Sequence, residues 1–145
     1  MADLPDRVRS IMHAVGNMHI LATVDSEGKP QMRWMGALYE DPKTPWTFYL
    51  VCGKDSRKMH QITQNNHAQL LFTKQDDWQV ATLSGTAAIV DTPELRSLLW
   101  ANIPMMEKYY SGADDPNMGI IEFKTHCMEL LALNEQHEPY CFELE

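Results

Sequence analysis

Cysteine is scarce in this chain of 145 residues. The three present, Cys52, Cys127 and Cys141, are odd in number and far apart, so neither a disulfide framework nor a zinc site is expected. Long apolar runs are also missing. The longest fall well short of the ~20 residues a membrane span needs, and Met1-Ala2-Asp3-Leu4-Pro5-Asp6-Arg7 shows no signal-peptide pattern, so we expect no membrane partner and a cytoplasmic protein. Positive charge is in short supply, with twelve Lys and Arg against twenty Asp and Glu and a formal net charge of -8. Such a surface repels a phosphate backbone, which argues against nucleic acid as a partner.

Motifs for hard chemistry are absent too. The six histidines, at 13, 19, 60, 67, 126 and 137, contain no His-Glu-x-x-His and no pair on one helix turn, so no metal site is expected. Cys52-Gly53 and Ser84-Gly85 lack the flanks of a nucleophile elbow, and Asp114-Asp115-Pro116 lacks the alternating ligands and closing Glu of a calcium loop. No residue stands out as a general acid or base, and catalytic residues stay unassigned. Any redox chemistry would have to come from a bound cofactor.

What remains is an ordinary globular composition, 44% apolar and 22% charged, without repeats. A chain of this length buries roughly 70% of its unfolded surface, so residues 1–145 are expected to form one domain. Leu4, Val8, Ile11, Met12 and Val15 recur at helical spacing and predict an opening helix. From Met18 to Asp25 the pattern alternates, with Met18, Ile20, Ala22 and Val24 on one face, and the turn residues Ser26 to Pro30 lead into a second strand over 31–39. Further strands are predicted over 46–52, 67–74 and 78–90, the last with a bulge or sharp bend at Gly85, and over 118–123 and 128–133. Helices are predicted over 55–65 and from Thr92-Pro93-Glu94, where an N-cap hydroxyl precedes a first-turn proline and acid. About six strands lying close in sequence favour a mainly β, antiparallel barrel with short flanking helices, because parallel units would need a crossover after nearly every strand.

Against the acidic background one cluster of cations stands out. Lys54, Arg57 and Lys58 fall within Gly53-Lys54-Asp55-Ser56-Arg57-Lys58, between a strand and a helix for which Asp55 or Ser56 is a plausible N-cap. Cations in the first turn oppose the helix dipole unless an anion is present, and free N–H groups, a Ser hydroxyl and two cations suit a phosphate. The alternative is that all three simply face water. Arg33, halfway along an apolar strand, must likewise reach water or an anion. The four tryptophans and ten methionines fit core or interface packing.

The run Ile20 to Pro30, then Arg33-Trp34-Met35, then Ser56-Arg57-Lys58 with Ile62 and Asn65-Asn66, resembles the pyridoxamine 5'-phosphate oxidase-like FMN-binding split barrels. Leu83-Ser84-Gly85-Thr86-Ala87, Leu99-Trp100 and Gly112 to Pro116 are similar to its general stress protein branch. The resemblance implies a six-stranded antiparallel split barrel, a homodimer, and FMN in clefts between the subunits. It places Arg33, Ser56, Arg57 and Lys58 at the flavin phosphate and the ring near Trp34, Met35, Val51 and Cys52. It further implies an FMN-dependent oxidoreductase acting on a small substrate. The alternatives are a flavin-binding carrier or stress sensor without turnover, and a deazaflavin or heme in place of FMN. The chain ends at Glu145 without the longer C-terminal region that supplies substrate-binding residues in the true oxidases, so vitamin B6 oxidation is not expected.

Overall fold

The computed structural model describes residues 3–142. Helix α1, Leu4–Ala14, is capped by Asp3, whose carboxylate accepts from the Asp6 N–H, and it buries Val8, Ile11 and Met12. Strands β1, His19–Val24, and β2, Pro30–Met35, form the first hairpin. The two-residue β3, Tyr39–Glu40, and β4, Thr47–Gly53, come next, then helix α2, Arg57–Gln64. Strands β5, His67–Lys74, and β6, Gln79–Ile89, precede helix α3, Pro93–Asn102. Strand β7, Met118–Leu131, and the two-residue β8, Tyr140–Cys141, end the described chain. No helix among the described residues is long and apolar enough to cross a membrane.

The strands form one antiparallel sheet in the order β2-β1-β5-β6-β7-β4-β3, with β8 added to β7. This is the expected mainly β, antiparallel class. Six strands are long, and β3 and β8 raise the count to eight. The single strand expected over 31–39 divides because the chain leaves β1 after Met35 and re-pairs with β4 at Tyr39 and Glu40, at the opposite end of the sheet path. The two strands expected over 118–123 and 128–133 are one. Strand β7 runs through the polar residues between them by inserting His126 as an extra residue where the register shifts opposite Ser84 and Gly85. Gly85 is required there, because a Cβ at that position would lie 1.9 Å from the Lys124 carbonyl oxygen.

Alternation decides what the sheet encloses. On β1 the inward face is His19, Leu21 and Thr23, while Ile20, Ala22 and Val24 face outward. Leu21, Leu70, Phe72, Leu83, Phe48, Leu50 and Phe123 meet Val8, Ile11 and Met12 of α1 and Met59 and Ile62 of α2 in the main core. Strand β4 is buried on both faces. Its Tyr49 and Val51 pack with Leu99, Ile103, Met106 and Ile120 in a second cluster under α3. No disulfide framework is expected from the cysteine count, yet one disulfide is present. The β7–β8 register sets Cys127 opposite Cys141, and the two are bonded. An odd count of three says nothing against pairing two of them when register brings them face to face.

Candidate functional site

Three α-helices begin among the described residues, and two of them are fully capped. Asp3 caps α1 and Thr92 caps α3, whose hydroxyl accepts from the Leu95 N–H, and each has an acid in its first turn, Asp6 and Glu94. Helix α2 has neither. Its N-cap residue Ser56 makes no side-chain capping bond, and its first turn holds Arg57 and Lys58 with no acid. The hydroxyl of Ser56 turns back instead toward the Cys52 sulfur, 3.9 Å away. The end of a helix that carries partial positive charge is therefore left open and ringed by cations.

The loop leading into α2 is held against β7. Lys54 N–H donates to the Asn117 carbonyl at 2.8 Å, and Gly119 allows the close approach. From β2, Arg33 comes in alongside. It is half-buried and donates to Thr23 Oγ1 at 2.8 Å, to the Leu21 carbonyl at 3.2 Å and to Gln61 Oε1 at 3.0 Å. Burial lowers the Arg33 pKa, and the like charge of Arg57 pushes the same way. Cys52 lies between these cations. Burial raises its pKa, while Lys58, the Ser56 hydroxyl and Arg33 pull it back down. Among the described residues Arg33, Lys54, Arg57 and Lys58 form no ion pair, in a chain with twenty acids. A cavity of about 520 Å³ opens between the β1–β2 turn and α2, lined by Lys29, Gln31, Arg57, His60, Gln61 and the acids Asp25 and Glu27, among others.

Of the residues singled out in the sequence, Arg33, Cys52, Ser56, Arg57 and Lys58 thus converge on one place. Trp34 does not share their side of the strand. It lies on the outer face, 65% exposed, beside the similarly exposed Met32. Met35 is packed in the main core and Val51 in the cluster under α3, so only their backbone could meet a ligand. Thr23 and Gln61, which hold Arg33, were not identified from sequence. The available signal was a polar residue at a core-facing position: Thr23 alternates with Leu21, and Gln61 adjoins Ile62.

A model of the pyridoxamine 5'-phosphate oxidase family matches residues 5–131. General stress protein 26 of Bacillus subtilis is 27% identical over 98% of this chain and 97% of its own length. Among solved structures, a Clostridium acetobutylicum protein related to general stress protein 26 superimposes with a TM-score of 0.78 at 20% identity, covering 96% of this chain and 93% of that one. An FMN-binding, pyridoxamine 5'-phosphate oxidase-related protein from Nostoc punctiforme gives 0.72 at 16% identity, with coverages of 94% and 87%. A heme-binding protein from Mycobacterium smegmatis gives 0.77 at 16% identity, over 97% of this chain and 59% of that one. The sheet order and the open α2 terminus thus sit within a match that runs over most of the sequence, and the chain belongs to the pyridoxamine 5'-phosphate oxidase family.

Proposed function

We propose that the protein is a homodimeric flavoprotein that binds FMN and transfers electrons or hydride to a small substrate. The observation that carries this reading is the uncapped N-terminus of α2 with four cations, Arg33, Lys54, Arg57 and Lys58, that form no ion pair among the described residues, Lys54 acting on Asp91 only at longer range. FMN ends in a phosphate monoester carrying about -1.5 to -2 charges. The donor set fits it: free helix N–H groups, the Ser56 hydroxyl and the forked Arg57 and Arg33 suit a phosphate, with Lys58 as a point charge. When bound, the flavin would supply the redox chemistry, while Ser56, Arg57 and Lys58 hold its phosphate and the backbone of Trp34, Met35, Val51 and Cys52 borders its ring. The FMN-binding relative from Nostoc supports this occupant.

The outer face of β1 and β2 suits a second copy of the chain. Ile20 pairs with Trp34 and Ala22 with Met32 on that face, and aromatic and Met residues favour interface cores. A two-fold dimer built there would put the cofactor sites at the subunit boundary. We place the protein in the cytoplasm. That setting adds a condition, since thiol pools there act on disulfides and Cys141 is exposed.

The test is the visible spectrum of purified protein after FMN addition and desalting. A retained flavin spectrum, bleached by a reduced nicotinamide nucleotide and restored by air, is expected. Retention without turnover across donors and acceptors would instead identify a carrier or sensor, and a heme or deazaflavin spectrum would replace FMN as the occupant.

A further inference from the structure

Arg33 is held by two buried polar side chains whose presence packing alone does not explain. Thr23 is 1% exposed and Gln61 7%. The Thr23 hydroxyl donates to Gln61 Oε1, Arg33 Nη2 donates to the same oxygen at 3.0 Å, and Arg33 Nη1 donates to Thr23 Oγ1 at 2.8 Å. Three side chains from β1, β2 and α2 thereby close a ring. Apolar residues would fill the Thr23 and Gln61 positions without the cost of burying an amide and a hydroxyl. The ring also carries a charge that its surroundings oppose, through desolvation and through Arg57. An oriented, half-buried cation with no carboxylate partner among the described residues is open to an anion from outside the chain.

The direction of the Gln61 amide follows from its partner. A guanidinium only donates, so the atom facing Arg33 is the carbonyl oxygen and the NH2 group lies on the other side. Its nitrogen forms no hydrogen bond among the described residues, and Gln61 lines the cavity together with Arg57. We infer that Thr23 and Gln61 are positioning residues that aim Arg33 at the phosphate of the bound ligand, with the Gln61 amide N–H2 as a further donor to it. This rests on the proposed phosphate cradle and extends it to two residues of β1 and α2.

The experiment measures dissociation constants for FMN, riboflavin and inorganic phosphate on the full chain and on Gln61→Met, Gln61→Glu, Thr23→Val and Thr23→Ser, with melting temperatures of the ligand-free proteins as a folding control. Gln61→Met and Thr23→Val should each weaken FMN and phosphate roughly tenfold, as for a lost hydrogen bond to a charged group, and leave riboflavin unchanged. Gln61→Glu should weaken FMN and phosphate further, because its carboxylate pairs with Arg33 and fills the role of the anion. Thr23→Ser keeps the hydroxyl and should bind like the parent, which keeps the test open if Thr23→Val fails to fold. FMN and riboflavin weakening by the same factor would show a merely structural role and overturn the inference, as would unchanged FMN binding in Gln61→Glu. A parent that binds phosphate and neither flavin would overturn the flavin reading alone, leaving the phosphate values to decide this one. A parent that binds none of the three overturns both.

Discussion

Lys54 passes over Gly119 so closely that a Cβ at position 119 would stand 3.1 Å from the Lys54 Cα and 2.8 Å from the terminal methyl of Met59. The bare backbone of β7 is therefore the seat on which the loop before α2 and the underside of α2 rest. Gly119→Ala should turn the flexible Met59 methyl aside at little cost and press the Lys54 backbone back slightly, costing about 1 kcal/mol of stability, at the low end of overpacking. It should weaken FMN binding by more than riboflavin binding, since the displaced groups are those that face the phosphate. Chemical denaturation and a paired ligand titration check this. Undiminished stability would show that the loop shifts without resistance.

The Cys127–Cys141 bond closes a loop with a sequence separation of 14. Loop-closure arguments put the stabilisation from a bridge of that span at roughly 3 kcal/mol. Cys127→Ser should lose about that much in urea denaturation, and the parent should lose it when reduced. Thiol titration of the unfolded parent should find one free thiol, Cys52, without reductant and three with it. Three thiols in protein kept oxidised throughout would contradict the pairing.

His19 gives stability a pH dependence. It is buried beside Phe72, its Nδ1 lies 2.9 Å from the Asn17 carbonyl, and its Nε2 has no partner among the described residues. Burial, the main cause, lowers its pKa below the ordinary 6.5. A base with a lowered folded pKa binds its proton more readily in the unfolded chain. Its neutral form therefore supports the fold fully above pH 6.5, and support is lost as pH falls from there toward the folded value. The slope is at most about 1.4 kcal/mol per pH unit. Urea midpoints between pH 8 and 5 should fall more steeply for the parent than for His19→Gln, and parallel curves would show that His19 takes up a proton in place.

Much of this molecule could be read before folding. Strand β5 falls over 67–74 because alternation there is regular and bounded by polar residues, α3 starts where Thr92-Pro93-Glu94 predicts, and Gly85 marks the bulge. What escaped depended on non-local register. The continuity of β7 across Thr125–His126–Cys127 rests on pairing with β6, and β8 and the disulfide rest on pairing with β7. The inward face of β1 is hidden because the outward Ile20, Ala22 and Val24 are more apolar than the inward His19, Leu21 and Thr23. At the site, the cations were legible from charge alone. Their supports Thr23 and Gln61 were not, because a buried Thr or Gln looks like any polar residue until its partner arrives from another element.

Trp34 is expected to carry the association of two chains through the outer face of β2. Trp34→Glu should give a monomer in sedimentation at micromolar concentration, with the core fold intact because the side chain is exposed. FMN affinity should fall with it, since a ligand shared by two subunits favours the assembled form by mass action. A dimer that persists in Trp34→Glu would move the interface to another face.

The most direct measurement of the central claim, that an anion belongs at the start of α2, is a titration of FMN and riboflavin into the parent, Arg57→Ala and Lys58→Ala. The two flavins differ only in the phosphate. The parent should prefer FMN strongly, and each variant should weaken FMN by ~1.5–3 kcal/mol, roughly 10- to 150-fold, with little change for riboflavin. Equal affinity of the parent for both flavins, or variants that bind FMN as the parent does, would contradict it and leave Arg57 and Lys58 as cations that merely face water.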